Sequence, residues 1–319
     1  MAASGVTIVD IARALGISKT AVSSALHGRG RVSEETRQRV LAQAEAMGYQ
    51  SNRAAQRLRG GQHGAIGLHL PADLRELAFY MEFTFGVADV AAERGLDLLL
   101  RTAAAGGSPR PGVDGLLVVD PTPDTFPDAV RGLGEAPVVA VGEYRGPGSA
   151  AVAASIAADH RGLIGQVLDV LSERGAERPA LAALEEQREP LWASDVVAGY
   201  RDWCGAHGVQ PLVLRVPVAP TDAEIERALA EVEAAGRDAL VWVAQSVVPH
   251  ALALQARGYG AGIQLGTMAV DPGAARAVGV DLRPRAYGRA AAELLLGVLA
   301  GAVDAGAHEV HAARLVGPA

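Results

Sequence analysis

Two short helical patterns joined by a glycine turn within the first 27 residues constrain this chain more than any other feature. Apolar residues recur at Ile8, Ile11, Ala12 and Leu15, the spacing of one helix face. Thr7 is placed as the N-terminal cap, and Asp10 stands in the first turn, where the helix end favours negative charge. Gly16 and Ile17 predict a tight turn. Ser18 is the expected cap of a second helix with Val22, Ala25 and Leu26 inward and a polar face of Lys19, Thr20, Ser23, Ser24 and His27. A third helix, capped by Ser33 with Glu34 and Glu35 following, repeats Val40, Leu41, Ala44 and Met47 and completes a three-helix core. Helix, glycine turn and helix at this spacing form the helix-turn-helix pattern, whose second helix enters the DNA major groove; a plain αα-hairpin shares the spacing.

Charge sharpens the choice. The 319 residues carry a net charge of −7, yet residues 1–61 hold nine basic and four acidic side chains, a net +5 that leaves −12 for the rest. A cationic head on an anionic body is the asymmetry of a chain that holds a polyanion at one end. Half of the residues are hydrophobic, enough for a large core, but no run approaches the roughly 18 apolar residues of a membrane helix. Residues 1–6 show no export-signal pattern, and Cys204 is the single cysteine. The expectation is a soluble cytoplasmic protein without a membrane partner.

After the third helix, Asn52 to Arg59 starts with a capping residue, uses good helix formers and stops at Gly60-Gly61. So short a helix is marginal alone in water. Two copies meeting on DNA could form in the minor groove, with Leu58 as an apolar wedge; a plain linker residue is the other reading of Leu58. Val6 to Ala12, Gly16-Ile17-Ser18, Thr20 to Ser23, Val32 to Arg37, Gly48-Tyr49 and Asn52 to Ala55 together resemble the headpiece and hinge of the LacI/GalR family of bacterial repressors. The resemblance implies base contacts by Lys19, Thr20 and Ala21, phosphate contacts by Thr7, Ser18, Ser23 and Asn52, and minor-groove contacts by Ala55 and Leu58. Ser24, His27, Arg53 and Gln56 complete the expected DNA-binding set. Ser24 and Ala25 stand where many members carry an arginine and a valine, which alters the bases to be read without altering the mode of binding.

From residue 64 onward short apolar runs alternate with helical patterns. Ala65 to Leu68, Leu96 to Leu100, Val113 to Val119 and Val138 to Val141 read as buried parallel strands, with a helix over Leu74 to Arg94. The series repeats with strands at Pro179 to Leu184, Leu212 to Val216, Ala239 to Val243 and Ile263 to Leu265, and with helices near 160–174, 191–207, 222–235 and 247–257. Ligands of open α/β sheets bind beyond the strand C-termini. This half resembles the periplasmic-binding-protein-like core of the same family. The expected fold is therefore an all-α helix-turn-helix domain (1–50), a hinge (51–61) and an α/β two-lobed core of two parallel doubly wound sheets (62–319). The N-lobe is expected over about 62–158 and 283–305, the C-lobe over about 160–280.

The family pairs through this core and holds an effector between its lobes, so the resemblance implies a homodimer, operator DNA and a small-molecule effector as partners. Polar groups that clamp sugar hydroxyls in the family are replaced here by Val196, by Ala244-Gln245-Ser246-Val247 and by Thr267-Met268. Each hydroxyl left unpaired in a buried site costs roughly 1–3 kcal/mol, which argues against an ordinary sugar. Asp159, Trp192, Tyr200, Trp242 and Gln245 are the expected effector residues. An effector-independent regulator with a vestigial pocket is the alternative. No cofactor, metal or catalytic site is expected: Gly60, Gly61, Gly64 and Gly67 precede a strand and lack a phosphate loop's context, and His308-Glu309-Val310-His311 lacks a zinc helix's spacing.

Overall fold

The structure, a computed structural model, describes residues 6–27, 32–47, 63–70, 78–101, 112–185, 190–270 and 277–317. Residues 1–62 and 63–319 form two compact units.

The first unit contains α1 (Ile8–Leu15), α2 (Lys19–His27) and α3 (Glu34–Ala46). A reciprocal capping box starts α1: the Asp10 carboxylate accepts from the Thr7 backbone N–H at 3.0 Å and from its hydroxyl at 2.6 Å. These bonds hold the Asp10 carboxyl below its usual range. Gly16 ends the helix at φ 65°, the left-handed region where a Cβ would be strained. Ile11, Ala12, Val22, Ala25, Val40 and Ala44 form the small core. Leu41, expected inward, is 46 % exposed. Val40 and Ala44 already fill the inner stripe, which turns Leu41 to the flank.

The second unit repeats one design. Sheet order β11-β5-β4-β3-β1-β2 builds the N-lobe from β1 (Ala65–His69), β2 (Asp97–Arg101), β3 (Gly115–Val119), β4 (Val138–Val141), β5 (Val152–Ala158) and β11 (Ala307–His311). Order β12-β10-β9-β8-β6-β7 builds the C-lobe from β6 (Pro179–Leu184), β7 (Val213–Val216), β8 (Ala239–Trp242), β9 (Gln264–Thr267), β10 (Val278–Asp281) and β12 (Arg314–Val316). All described pairings are parallel except β10 with β12. The same carboxylate device pins each first strand. Asp114 accepts from the backbone N–H of His63 and Gly64, and Asp238 from those of Glu177 and Arg178. The apolar run Leu96 to Leu100 predicts a buried strand, whereas β2 is an edge strand and Leu100 is 60 % exposed.

The lobes also repeat a close helix crossing. In the N-lobe α4 (Ala78–Glu93) meets the helix Pro284–Leu299, and a Cβ on Gly86 would stand 2.1 Å from the Arg285 carbonyl oxygen. In the C-lobe the helices His160–Glu173 and Leu191–His207 meet where a Cβ on Gly199 would stand 2.3 Å from the Arg161 carbonyl oxygen. Numbered in chain order, α5 is Phe126–Ala129, α6 His160–Glu173, α7 Leu191–His207, α8 Asp222–Ala234, α9 Val248–Ala256 and α10 Pro284–Leu299. The chain passes between lobes three times, after β5, β10 and β11. His311 ties these passages together: its ring stacks on Tyr287 at 4.1 Å and its Nε2 lies 2.9 Å from the Leu282 carbonyl oxygen. Burial pushes the His311 pKa down, which favours the neutral ring.

Candidate functional sites

The first candidate is the outer face of α2. The Ser18 hydroxyl accepts from the Ala21 backbone N–H at 3.1 Å and so caps the helix. Val22 and Ala25 are buried against α1 and α3, which leaves Lys19 and Thr20 exposed and Ala21, Ser23 and Ser24 part-exposed. Thr7 is exposed and committed to capping α1, its hydroxyl donating to the Asp10 carboxylate at 2.6 Å. Asn52, Arg53, Ala55, Gln56 and Leu58 lie outside the described residues, as does the side chain of His27.

The second candidate lies at the strand C-termini between the lobes. Three non-glycine residues there have left-handed backbone: Asp120 (φ 46°) after β3, Ser246 (φ 60°) after β8 and Arg283 (φ 47°) after β10. Such conformations cost roughly 1 kcal/mol or more and gather at functional sites. The crevice they border encloses a cavity of about 30 Å³. Phe79, Val119, Val141, Val243, Met268 and Leu282 make it largely apolar, and Tyr80, Asp120, His160, Trp192, Gln245 and Tyr287 supply its polar atoms.

Asp120 organises those atoms. Its carboxylate accepts from the Tyr80 hydroxyl at 2.5 Å, within the N-lobe, and from the Trp192 side chain across the crevice. Burial pushes its pKa up to about 6 despite both hydrogen bonds. Burial, and then the charge of Asp120, also push the Tyr80 hydroxyl well above its ordinary value. Burial drives His160 down to about 4, and its ring lies 5.2 Å from that of Trp192. At neutral pH the crevice therefore holds a carboxylate and a neutral imidazole.

Trp192 and Gln245 line the crevice; the other expected effector residues lie elsewhere. Tyr200 is fully buried two helical turns beyond Trp192, donating to the Pro179 carbonyl at 2.9 Å and accepting from the Leu212 N–H at 2.9 Å. It fastens α7 to its sheet. Trp242 is also buried: its neighbour Val241 packs beside Gly266 over α6, and strand alternation turns Trp242 to the opposite face, into the C-lobe core. Asp159 caps α6, accepting from the Gly162 N–H at 2.9 Å, and faces a neighbouring polar cavity of about 320 Å³ that shares His160 and Trp192 with the crevice and is also lined by Glu143, Arg145, Asp195 and His308.

The family profile described as "Bacterial regulatory proteins, lacI family" matches residues 7–52, the stretch that holds the capped helices. Maltose regulon regulatory protein MalI of Escherichia coli (strain K12) is 44% identical over 90 residues, 28% of this chain and 26% of its own length. The Vibrio furnissii protein of the same name is 38% identical over 100 residues, 31% of this chain and 72% of its own length. The chain belongs to the lacI family of bacterial regulatory proteins.

The chain matches only about a quarter of the length of the Escherichia coli relative, 26% of it. The fold of this lacI-family chain is similar throughout to the lac repressor dimer bound to operator and the anti-inducer ONPF, with a TM-score of 0.77, 20% identity and 98% of each chain covered. Among the described residues no helix is long and apolar enough to cross a membrane. Sequence reasoning missed Phe79, Tyr80, Asp120, His160 and Tyr287. Asp120 had a signal: it directly follows the strand ending at Val119, where open α/β sheets place ligand contacts.

Proposed function

We infer that this protein is a sequence-specific DNA-binding transcriptional regulator, a repressor that binds a near-palindromic operator as a homodimer and responds to a small molecule between its lobes. One observation carries the reading: a Ser18-capped helix, buried through Val22 and Ala25, presents Lys19 and Thr20 outward within the stretch that matches the lacI family. In this reading residues 1–50 contact the operator, 51–61 form the hinge, and 62–319 pair the subunits and sense the signal. The net +5 charge of residues 1–61 supports phosphate binding, and the Lys19 ammonium can donate to the O6 and N7 acceptors of guanine. Met81 and Phe85, one turn apart on α4 and 51 % and 46 % exposed, support a second copy as partner of the N-lobe. Leu100 on edge strand β2 does the same, because unpaired sheet edges need cover.

The effector is not an ordinary sugar. The relatives described above are named for a maltose regulon, but the crevice of this chain offers a hydroxyl-rich ring few partners. Thr267 is buried with its hydroxyl donating to the Ala269 carbonyl at 2.9 Å, and Met268 presents a thioether. The cavity's small volume favours the second reading, an effector-independent regulator, and operator affinity measured with and without cell extract separates the two.

Selection of bound duplexes from a random pool, with the full chain at low ionic strength, tests the regulator reading. A two-fold-related consensus is expected, with affinity that falls steeply as salt displaces phosphate contacts. Lys19→Ala should change the preferred bases, whereas a uniform loss across all sequences would mark Lys19 as a phosphate contact. Failure to enrich any sequence overturns the reading.

A further inference from the structure

Asp120 has acceptors satisfied but charge uncompensated. Among the described residues, those of the crevice that can ionise are Asp120, His160, Tyr80 and Tyr287, no Lys or Arg lines it, and Asp120 makes no ion pair. A carboxylate withdrawn from water without a counter-ion is costly to the structure that holds it. His160 does not compensate it, because the buried ring is neutral at physiological pH.

The surroundings of that carboxylate are aromatic. Phe79, Tyr80, Trp192 and Tyr287 all border the cavity; the Phe79 ring lies 5.0 Å from Tyr80 and 6.4 Å from Tyr287, edge to face in both cases. Ring faces carry negative potential and attract cations. An anionic ligand would meet Asp120 and these faces unfavourably. A wholly apolar ligand would strand the carboxylate. The lining is largely apolar and aromatic, so it suits the carbon surface of an alkylammonium better than the hydroxyls of a pyranose ring.

We propose that the interlobe crevice recognises a small organic cation, an alkylammonium whose nitrogen pairs with Asp120 while its carbons pack against Phe79, Tyr80, Trp192 and Tyr287. The proposal rests on the reading of the crevice as an effector site and adds the chemical class of the effector. Asp120 supplies the counter-charge from the N-lobe and Trp192 a ring from the C-lobe, so the cation contacts both lobes at once and favours their closed arrangement. Free inorganic ions lack the carbon surface to satisfy the rings.

The test uses the full chain at constant ionic strength, with methylammonium chloride and tetramethylammonium chloride as probes. Potassium chloride, methanol, sodium acetate and glucose serve as the matched ion, neutral, anionic and sugar controls. Binding is followed by tryptophan fluorescence and by calorimetry. Saturable binding of at least one ammonium probe is expected, without comparable binding of the controls, and Asp120→Asn should weaken it by roughly tenfold or more. Circular dichroism establishes that the near-isosteric variant is folded. A second measurement needs no variant. Protonation of Asp120, whose pKa is about 6, should weaken ammonium binding by roughly tenfold from pH 7 to pH 5, while His160 stays largely neutral and Tyr80 and Tyr287 stay protonated.

Ammonium binding that is indifferent to both Asp120→Asn and pH overturns the proposal. So does glucose, methanol or acetate binding as well as the cations, although that result keeps the crevice as an effector site of another class. Absence of ammonium binding in protein that still selects an operator sequence also overturns it, and leaves the regulator reading standing.

Discussion

Gly288→Ala is the perturbation whose magnitude the structure fixes most directly. A Cβ on Gly288 would lie 2.0 Å from the Phe83 carbonyl oxygen and 3.1 Å from the Val87 backbone nitrogen. These are backbone atoms inside α4, unable to swing aside as a side-chain tip would. The two helices must part by roughly 1 Å or more before the contact becomes tolerable, and the dispersion contacts along their crossing weaken together. Overpacking costs about 1–3 kcal/mol, and a backbone obstacle places this site near 3. At roughly 2–4 °C per kcal/mol for a unit of this size, the unfolding transition of residues 63–319 should fall by about 6–12 °C in scanning calorimetry. Gly165→Ala is the matched control: it lies in α6 with nothing within 4 Å of an added Cβ, so the gain in helix propensity should stabilise by about 0.5–1 kcal/mol. Shifts of the same sign in the two variants, or a Gly288→Ala transition within about 1 °C of the parent, would refute the crossing argument.

Three further outcomes are expected. Thr7→Ala removes the α1 cap at a cost of about 1 kcal/mol, so amide exchange from α1 in the full chain should quicken about fivefold. Asp120 and His160 oppose each other with pH. The carboxyl is raised from 3.8 to about 6, so its stabilising contribution is complete below about pH 4 and is lost as pH rises through 6; His160 is lowered from 6.5 to about 4, so its contribution is complete above 6.5 and is lost as pH falls through 4. Asp120→Asn should therefore steepen acid destabilisation between pH 6 and 4, as followed by denaturant melts, and an unchanged slope would contradict the Asp120 shift. Phe85→Glu places a charge on the exposed α4 face and should weaken self-association by at least about tenfold in sedimentation velocity, with an unaltered circular dichroism spectrum below the melting transition.

The helices and strands were legible because local rules and tertiary packing agree on them. Thr7, Ser18 and Ser33 each precede an apolar repeat, and each accepts a backbone hydrogen bond at the start of its helix. Pro179 to Leu184 is an unbroken apolar run, the mark of a strand covered on both faces, and β6 spans those residues. Edges and flanks were less legible. Leu100 and Leu41 are as apolar as their buried neighbours, and only sheet order and helix rotation show that they face outward.

By itself the sequence determined the helix-turn-helix pattern, the repeated α/β halves and the family, because each depends on spacing between near neighbours. The tertiary structure decided which polar and aromatic groups share the crevice. Phe79, Asp120, Trp192 and Tyr287 are separated by up to 208 positions, and they meet only because the chain passes between lobes three times and both sheets turn their strand C-termini to one gap. By residue type Tyr200 and Trp242 suit that gap equally well, but helical rotation and strand alternation send them into the core. Side-chain direction follows from the element's orientation against its neighbours, which no local pattern encodes.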